Sequence, residues 1–342
     1  MKAVRIHEYG GVDKLIYEDI DFPECKDNEV IINVKATSVN HLDLWVRAGT
    51  PGIYNKLPLI LGSDAAGKIV KIGKDVDKCK VDDEVILQPG LYCSKCLYCK
   101  IGKENYCNKY SIMGETQNGT NAEYISVNQK YVFHKPLNLN FEEAASMPLV
   151  YMTAYEMIVN RAKLKSNEYI LIYGGTSGVG SAAIQICNDI GANIISTSSN
   201  NIKCDISKNN GAHYTINHND TNWIENINSI TKNNGVDVVF EHVGYKTWRS
   251  SLKILAKGGR IVTCGSTTGA NVEINLAHLF IKQQSILGST MGSVDTLKKI
   301  LHKIEINKYK PIIDKIFKME DVKYAHSYME SNKHLGKIVL IP

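Results

Sequence analysis

The sequence contains no apolar run long enough to cross a membrane, so no membrane association is expected. Its first residues, Met1-Lys-Ala-Val-Arg-Ile-His, lack the apolar core of a signal peptide, which points to the cytoplasm. No dense lysine or arginine block occurs. The 40 basic and 35 acidic residues leave a net charge of +5 on scattered positions, which argues against a nucleic-acid partner. There is no internal repeat and no low-complexity linker. Nine cysteines in a large cytosolic chain do not read as a disulfide framework. What remains is a globular composition, 44% hydrophobic and 22% charged, in 342 residues. That length suits two domains.

The stretch from Asn167 to Asn200 organises the rest. An apolar run, Tyr-Ile-Leu-Ile-Tyr, leads into Gly-Gly-Thr-Ser-Gly-Val-Gly, then a helical pattern, then Ile-Ile-Ser-Thr. The order is strand, turn, helix, strand, one parallel βαβ unit. Gly175, Gly178 and Gly180 allow a sharp turn and close approach of a bound group. The helix opening near Gly178 would aim free N–H groups and a positive dipole end at an anion. This context separates a dinucleotide site from an ordinary tight turn.

Residues 1 to about 135 read as β-rich, with strands expected at Glu29–Ala36, Gly67–Lys71, Glu84–Gln88 and Ala122–Tyr131. A compact barrel or sandwich is implied. A helical pattern over Phe141–Ala162 should break at Pro148. Beyond the βαβ unit the alternation continues. Strands are expected at Ala212–Asn217, Val236–His242, Arg260–Cys264 and Gln283–Gly288, and helices at Asn222–Thr231 and Lys246–Leu255. That pattern predicts a doubly wound parallel sheet. Asp295–Ile306 should be helical, and Lys337–Ile341 a last strand returning to the first domain.

Four cysteines, Cys93, Cys96, Cys99 and Cys107, crowd into the loop 90–107 with spacing Cys-x2-Cys-x2-Cys-x7-Cys. Four thiolates can enclose one Zn²⁺ and leave no position for substrate, hence a structural ion. An Fe–S cluster or unliganded thiols are the alternatives. At the end of the second nucleotide-domain strand, where NAD-binding sheets carry an acid, the sequence reads Ser198-Ser199-Asn200, with no carboxylate before Asp205. Ser198, Ser199 and Asn200 can donate to a 2′-phosphate, and Lys203 can supply charge. NADP(H) is therefore favoured over NAD(H), the alternative being that these residues only cap the next helix.

Taken together with Asn40-His41-Leu42-Asp43-Leu44-Trp45, Gly62-Ser63-Asp64-Ala65-Ala66-Gly67 and Leu287-Gly288-Ser289-Thr290-Met291, these features resemble the medium-chain dehydrogenase/reductase superfamily. That superfamily includes zinc alcohol dehydrogenases and quinone reductases. The resemblance implies an α/β protein. A GroES-like β-rich catalytic domain would span 1–149 and 293–342, with a Rossmann NADP(H)-binding domain at 150–292. It also implies a homodimer or homotetramer. By the same resemblance Thr153, Thr176, Ser177, Val179, Val243, Gly265 and Ser266 join the glycines near the cofactor.

The departures from the zinc enzymes are specific. The positions of their catalytic zinc ligands fall on Asn40, Ser63 and Leu149, the accompanying glutamate on Asp64, and the proton-relaying hydroxyl on Leu42. An amide, a hydroxyl and an alkyl group cannot replace two thiolates and an imidazole. Asn40 and Asp43 instead look like the metal-free quinone-reductase branch.

The expectation is one structural Zn²⁺ per chain and hydride transfer between NADP(H) and a small carbonyl, quinone or enone. Asn40 and His41 would be oxyanion donors, and His41 a proton donor or a cofactor-phosphate ligand. Asp43 would anchor the loop, and Trp45, Tyr54 and Tyr151 would line the pocket. Two alternatives stand beside this: a zinc alcohol dehydrogenase rebuilt on His41 and Asp64, and a dinucleotide-binding sensor without turnover.

Overall fold

The structure, a computed structural model, describes residues 1–49 and 55–342. The chain divides into two compact units: Met1–Leu149 with Ser293–Pro342, and Val150–Gly292. No described helix is long and apolar enough to cross a membrane.

The first unit is built on a seven-stranded sheet whose central member is Glu29–Val39. This strand is rich in Val and Ile, which suits a pleated, buried surface. Its alternate residues Val30, Ile32 and Val34 pack with Ala65, Ile69, Val85 and Leu87. Each such side chain, fully buried, contributes roughly 1.5–3 kcal/mol. Asp64–Ile72 pairs antiparallel with Glu29–Val39, and Val34 faces Gly67. A Cβ on Gly67 would lie 2.2 Å from the Asn33 carbonyl oxygen, so the two backbones approach this closely only with glycine. On the other side Lys337–Ile341 pairs antiparallel with Val39, Ser38 and Thr37, and parallel with Ile313–Lys318. The last strand thus sits inside the sheet of the first unit. A helix, His41–Ala48, follows Val39 after the single residue Asn40.

Pro148 marks the expected break. The helix Phe141–Ala145 ends before it, and Pro148 opens the helix Pro148–Tyr155, where its missing N–H costs nothing. A π-helical turn, Glu156–Arg161, completes the segment.

The second unit is a six-stranded, wholly parallel sheet. Its order is Tyr214–Asn217, Asn193–Ser198, Tyr169–Tyr173, Val236–Glu241, Leu255–Thr263, Ser285–Gly288. In chain order this is 3-2-1-4-5-6, the doubly wound arrangement. Its direction reverses between Tyr169–Tyr173 and Val236–Glu241, where such sheets bind ligands at the strands' carboxyl ends. The strands Lys2–Ile6 and Ile313–Lys318 and the helix Val322–Glu330 lie outside the elements expected from sequence.

Candidate active site and four-cysteine loop

In the first unit the residues after the Glu29–Val39 strand close on a buried polar cluster. Asp64 is fully buried, and its carboxylate accepts four hydrogen bonds. Oδ2 takes Ser38 Oγ (2.9 Å), Asn40 Nδ2 (2.9 Å) and Lys337 Nζ (3.4 Å), and Oδ1 takes the Leu149 N–H (2.9 Å). Asn40 Oδ1 in turn accepts from Lys337 Nζ at 2.5 Å. Both ends of the Asn40 amide are therefore held by protein groups: Oδ1 accepts from Lys337, and Nδ2 donates to Asp64 and, at 3.4 Å, to the Ser38 carbonyl. Ser63 donates its hydroxyl to the Met113 carbonyl at 2.8 Å. Leu149 offers only its backbone N–H to Asp64. This donor set, an amide, a hydroxyl, an alkyl group and an already engaged carboxylate, does not fit a metal ion at these positions.

Asp43 is also buried. Its carboxylate accepts the N–H of Asn40 (2.7 Å) and of Gly62 (3.0 Å), so it ties the start of the helix to the Gly62–Asp64 turn. Burial pushes its carboxyl up to about 6, against the pull of those two N–H bonds and of the Lys337 charge. Asp43 is an anchor by geometry.

His41 is the first residue of the helix, and Trp45 lies one turn on, 37% exposed, with its ring centroid 6.3 Å from the imidazole. A second imidazole, His334, has its ring centroid 6.1 Å from that of His41. Tyr54 lies outside the described residues. Tyr151, expected to line a pocket, is 2% exposed in the core of the second unit, and its hydroxyl donates to Gln185 at 3.2 Å. Burial, not solvent access, governs that side chain, which corrects its expected place in the pocket lining.

The loop thiols converge. The sulfurs of Cys93, Cys96, Cys99 and Cys107 all lie within 4.8 Å of one another, and could hold a metal ion. Two of the separations are 3.9 Å (Cys93–Cys99) and 3.5 Å (Cys96–Cys99). Tetrahedral Zn²⁺ with thiolates at about 2.3 Å requires sulfurs about 3.8 Å apart, so the set fits. N–H groups of Lys95 and Cys96 point at Cys93 Sγ and pull its thiol down to about 6. Among the described residues this is the one cluster of three or more such ligands.

In the second unit the glycine turn has the expected build. Gly174 adopts a positive φ of 60°, and Ser177 caps the helix Gly178–Ile190 by accepting the Gly180 N–H at 3.1 Å. A Cβ on Gly175 would lie 2.0 Å from Ser196 Oγ, and one on Gly180 would lie 2.2 Å from the Gly174 oxygen. The first-turn N–H groups at Gly178 and Val179 have no partner within the helix, as in any helix start.

Val243, Gly265 and Ser266 fall in the loops after the next two strands, on the same sheet edge. Glu241 fixes that loop by accepting the N–H groups of Val243 (2.7 Å) and Gly244 (3.1 Å). Thr153 is buried with its hydroxyl on Met291 Sδ.

At the end of Asn193–Ser198, Ser198 is buried against Ser207 (3.4 Å), and Asn200 caps the next helix by accepting the Lys203 N–H at 2.9 Å. The Ser199 carbonyl accepts from Asn219 at 2.8 Å. His218 joins this corner through its backbone N–H, which donates to the Ser198 carbonyl at 2.9 Å. Burial, and then the Lys203 charge, hold its imidazole below the usual range.

Three residues here escaped the sequence reading: Lys337, His334 and His218. The signal for His218 was its place directly after an expected strand end. For Lys337 it was a lysine opening an otherwise apolar strand. His334 left no signal of its own.

Comparison with known proteins agrees with this geometry. Residues 26–137 match the alcohol dehydrogenase GroES-like domain, and residues 178–305 the zinc-binding dehydrogenase domain. The chain is 30% identical to human quinone oxidoreductase, covering 100% of this chain and 98% of that protein. It is 32% identical to an NAD-dependent alcohol dehydrogenase of Saccharolobus solfataricus, covering 100% of each. A crystal structure of an NAD-dependent alcohol dehydrogenase superposes with a TM-score of 0.97 at 36% identity, over 100% of both chains. A cobalt- and zinc-bound thermostable alcohol dehydrogenase from Pyrobaculum aerophilum superposes with a TM-score of 0.91 at 28% identity, over 100% of this chain and 99% of that one. With its β-rich unit, its doubly wound parallel sheet and these full-length relatives, the chain belongs to the medium-chain dehydrogenase/reductase superfamily, and is an oxidoreductase that uses a nicotinamide dinucleotide.

Proposed function

We propose that this protein reduces a small carbonyl, quinone or enone compound with NADPH, without a catalytic metal, and that its four-cysteine loop holds one structural Zn²⁺. The observation that carries the reading is the saturated Asp64 carboxylate, engaged by Ser38, Asn40, Lys337 and Leu149. With Asn40 and Ser63 beside it, the described residues offer no ligand set for a Lewis-acid ion there. The bound cofactor supplies the hydride. The protein's part is to orient the substrate and stabilise the oxygen that gains negative charge. His41, placed by Asn40 at the helix start and flanked by Trp45, donates its ring proton to that oxygen. It recovers a proton from solvent afterwards.

The test is NADPH consumption across quinones, enones and aldehydes, with the metal counted. One zinc per chain and turnover on such substrates are expected. His41→Ala should lower kcat/KM by about 10²–10⁴, the usual contribution of a general acid. Unchanged turnover in that variant removes His41 from the chemistry, and a second zinc per chain favours the alcohol dehydrogenase reading.

The preference for NADPH rests on the absence of an acid from Ser198-Ser199-Asn200 at the end of the strand, with Lys203 in the first turn of the helix that follows. Ser199→Asp, at the half-buried residue that follows the buried Ser198, places a negative charge there, which repels a 2′-phosphate and accepts the ribose hydroxyls of NADH. The ratio of kcat/KM for NADPH over NADH should fall at least about tenfold, equivalent to about 1.4 kcal/mol. A wild-type protein that already prefers NADH overturns this part.

The small-molecule substrate is accompanied by a second copy of the chain in this reading, as a homodimer or homotetramer. The exposed Leu276, Phe280 and Ile281 and the edge strand Ser285–Gly288 offer such a surface.

A further inference from the structure

We propose that the C-terminal segment His334–Lys337 is the positioning element of the Asn40–His41 site: Lys337 fixes the residue before the proton donor, and His334 fixes the donor's ring. The inference rests on the reading of His41 as proton donor.

An ammonium carries three N–H groups and no acceptor. All three of Lys337's find oxygens: Asn40 Oδ1 at 2.5 Å, the Val39 carbonyl at 3.1 Å and Asp64 Oδ2 at 3.4 Å. The residue is 4% exposed, so water does not compete for those positions. Because only the amide oxygen can face an ammonium, Lys337 also dictates which way the Asn40 amide points. Its Nδ2 is then turned to Asp64 Oδ2 at 2.9 Å. A lysine forced into this burial would otherwise lose its charge. Desolvation pulls its ionisation down, and Asp64 and Asp43 oppose that pull.

Asn40 precedes His41 directly, so a fixed Asn40 fixes the backbone from which the imidazole projects. The imidazole also turns about its own two side-chain bonds. His334 and Trp45, with ring centroids 6.1 and 6.3 Å from it, bound that rotation. Gly336 joins the two contacts into one device. Its φ of 151° and the 2.6 Å that a Cβ would leave to the Ile312 oxygen admit only glycine there, while the Lys337 N–H bonds that same oxygen at 2.8 Å. The backbone between His334 and Lys337 is thus tied to the Ile312 carbonyl.

Histidine ring signals in the ¹³C-labelled full chain test this without relying on turnover. The His41 signal is assigned by its loss in His41→Ala. It should move or broaden in Lys337→Met and in His334→Leu, while that of the exposed His7, paired with Glu18, stays fixed. Turnover should fall about 10²-fold in kcat for Lys337→Met, the cost of misplacing a reacting group by about 1 Å, with NADPH affinity unchanged.

Lys337→Met leaves Asp64 without its cation and threatens folding, so Lys337→Met/Asp64→Asn is the paired variant. His334→Leu leaves the network intact. An unmoved His41 signal in His334→Leu and in whichever Lys337 variant folds overturns the proposal. A moved signal in a protein that consumes no NADPH upholds the positioning and instead removes the reductase reading.

Discussion

Replacing Asp64 by Ala is expected to lower the stability of the protein by about 3–5 kcal/mol, the cost of breaking a buried ion pair from one side. The carboxylate has no exposure and serves Ser38, Asn40, Lys337 and the Leu149 N–H together. Its removal strands a buried ammonium, a backbone N–H and two side-chain donors. Each orphaned neutral group adds roughly 1–3 kcal/mol where water cannot reach it. Against a typical total of about 5–15 kcal/mol, that loss is a large fraction of what holds the chain folded.

Asp64→Ala/Lys337→Met should be more stable than Asp64→Ala alone, because the second change removes the stranded charge. Neighbours in one network are not additive, and the size of the recovery measures their coupling. Urea unfolding of the four proteins gives the cycle. A loss below about 1 kcal/mol in Asp64→Ala, the scale of an ordinary exposed pair, contradicts a buried, saturated network.

Removing the zinc proposed for the four-cysteine loop is expected to have the second large effect. The loop buries little apolar surface, since Leu97, Tyr98, Ile101 and Tyr106 are exposed. Something else must order it, and four-sulfur zinc binding in peptides is worth roughly 10–16 kcal/mol near neutral pH. Cys96→Ser should reduce bound zinc from one per chain to a small fraction and lower the melting temperature.

The damage should reach beyond the loop. Glu104, between the third and fourth cysteines, accepts the N–H of Val294 at 3.2 Å, at the start of the helix Val294–Glu305. Amide exchange at Val294 and its neighbours should therefore quicken in Cys96→Ser. Full zinc retention in the variant, or none in the wild type, ends the assignment.

The parts of the fold that were legible in the sequence carry their own periodicity. Tyr169–Tyr173, Val236–Glu241 and Lys337–Ile341 are short apolar runs bounded by turn residues, and each lies where it was expected. Pro148 announced a helix break through its missing N–H. The strand Ile313–Lys318 was hidden because its residues alternate irregularly with lysines and stay half-exposed at the sheet edge. The helix His41–Ala48 was hidden because its eight residues leave too short a pattern to register.

The site was half legible. Motif positions named Asn40, His41, Asp43 and the four cysteines. Nothing local, however, says that a lysine some 297 residues away grips Asn40. Such contacts are set by sheet register: Ile338 lies opposite Val39, which brings Lys337 to the end of the strand that Asn40 follows.

That register has a consequence for biosynthesis. The strand Lys337–Ile341, which pairs with the central strand of the first unit's sheet, leaves the ribosome after the whole of the second unit. At roughly 5–20 residues per second, Asn40 and Asp64 wait about 15–60 s for their cation. Until then the growing chain carries an open slot beside Glu29–Val39, with bare N–H and C=O groups that another strand can take. The second unit, contiguous from Val150 to Gly292, can close as it emerges. A nascent chain would therefore acquire its six-stranded parallel sheet before its Asn40–Asp64–Lys337 network, and any chain halted ahead of Lys337 would hold the first without the second.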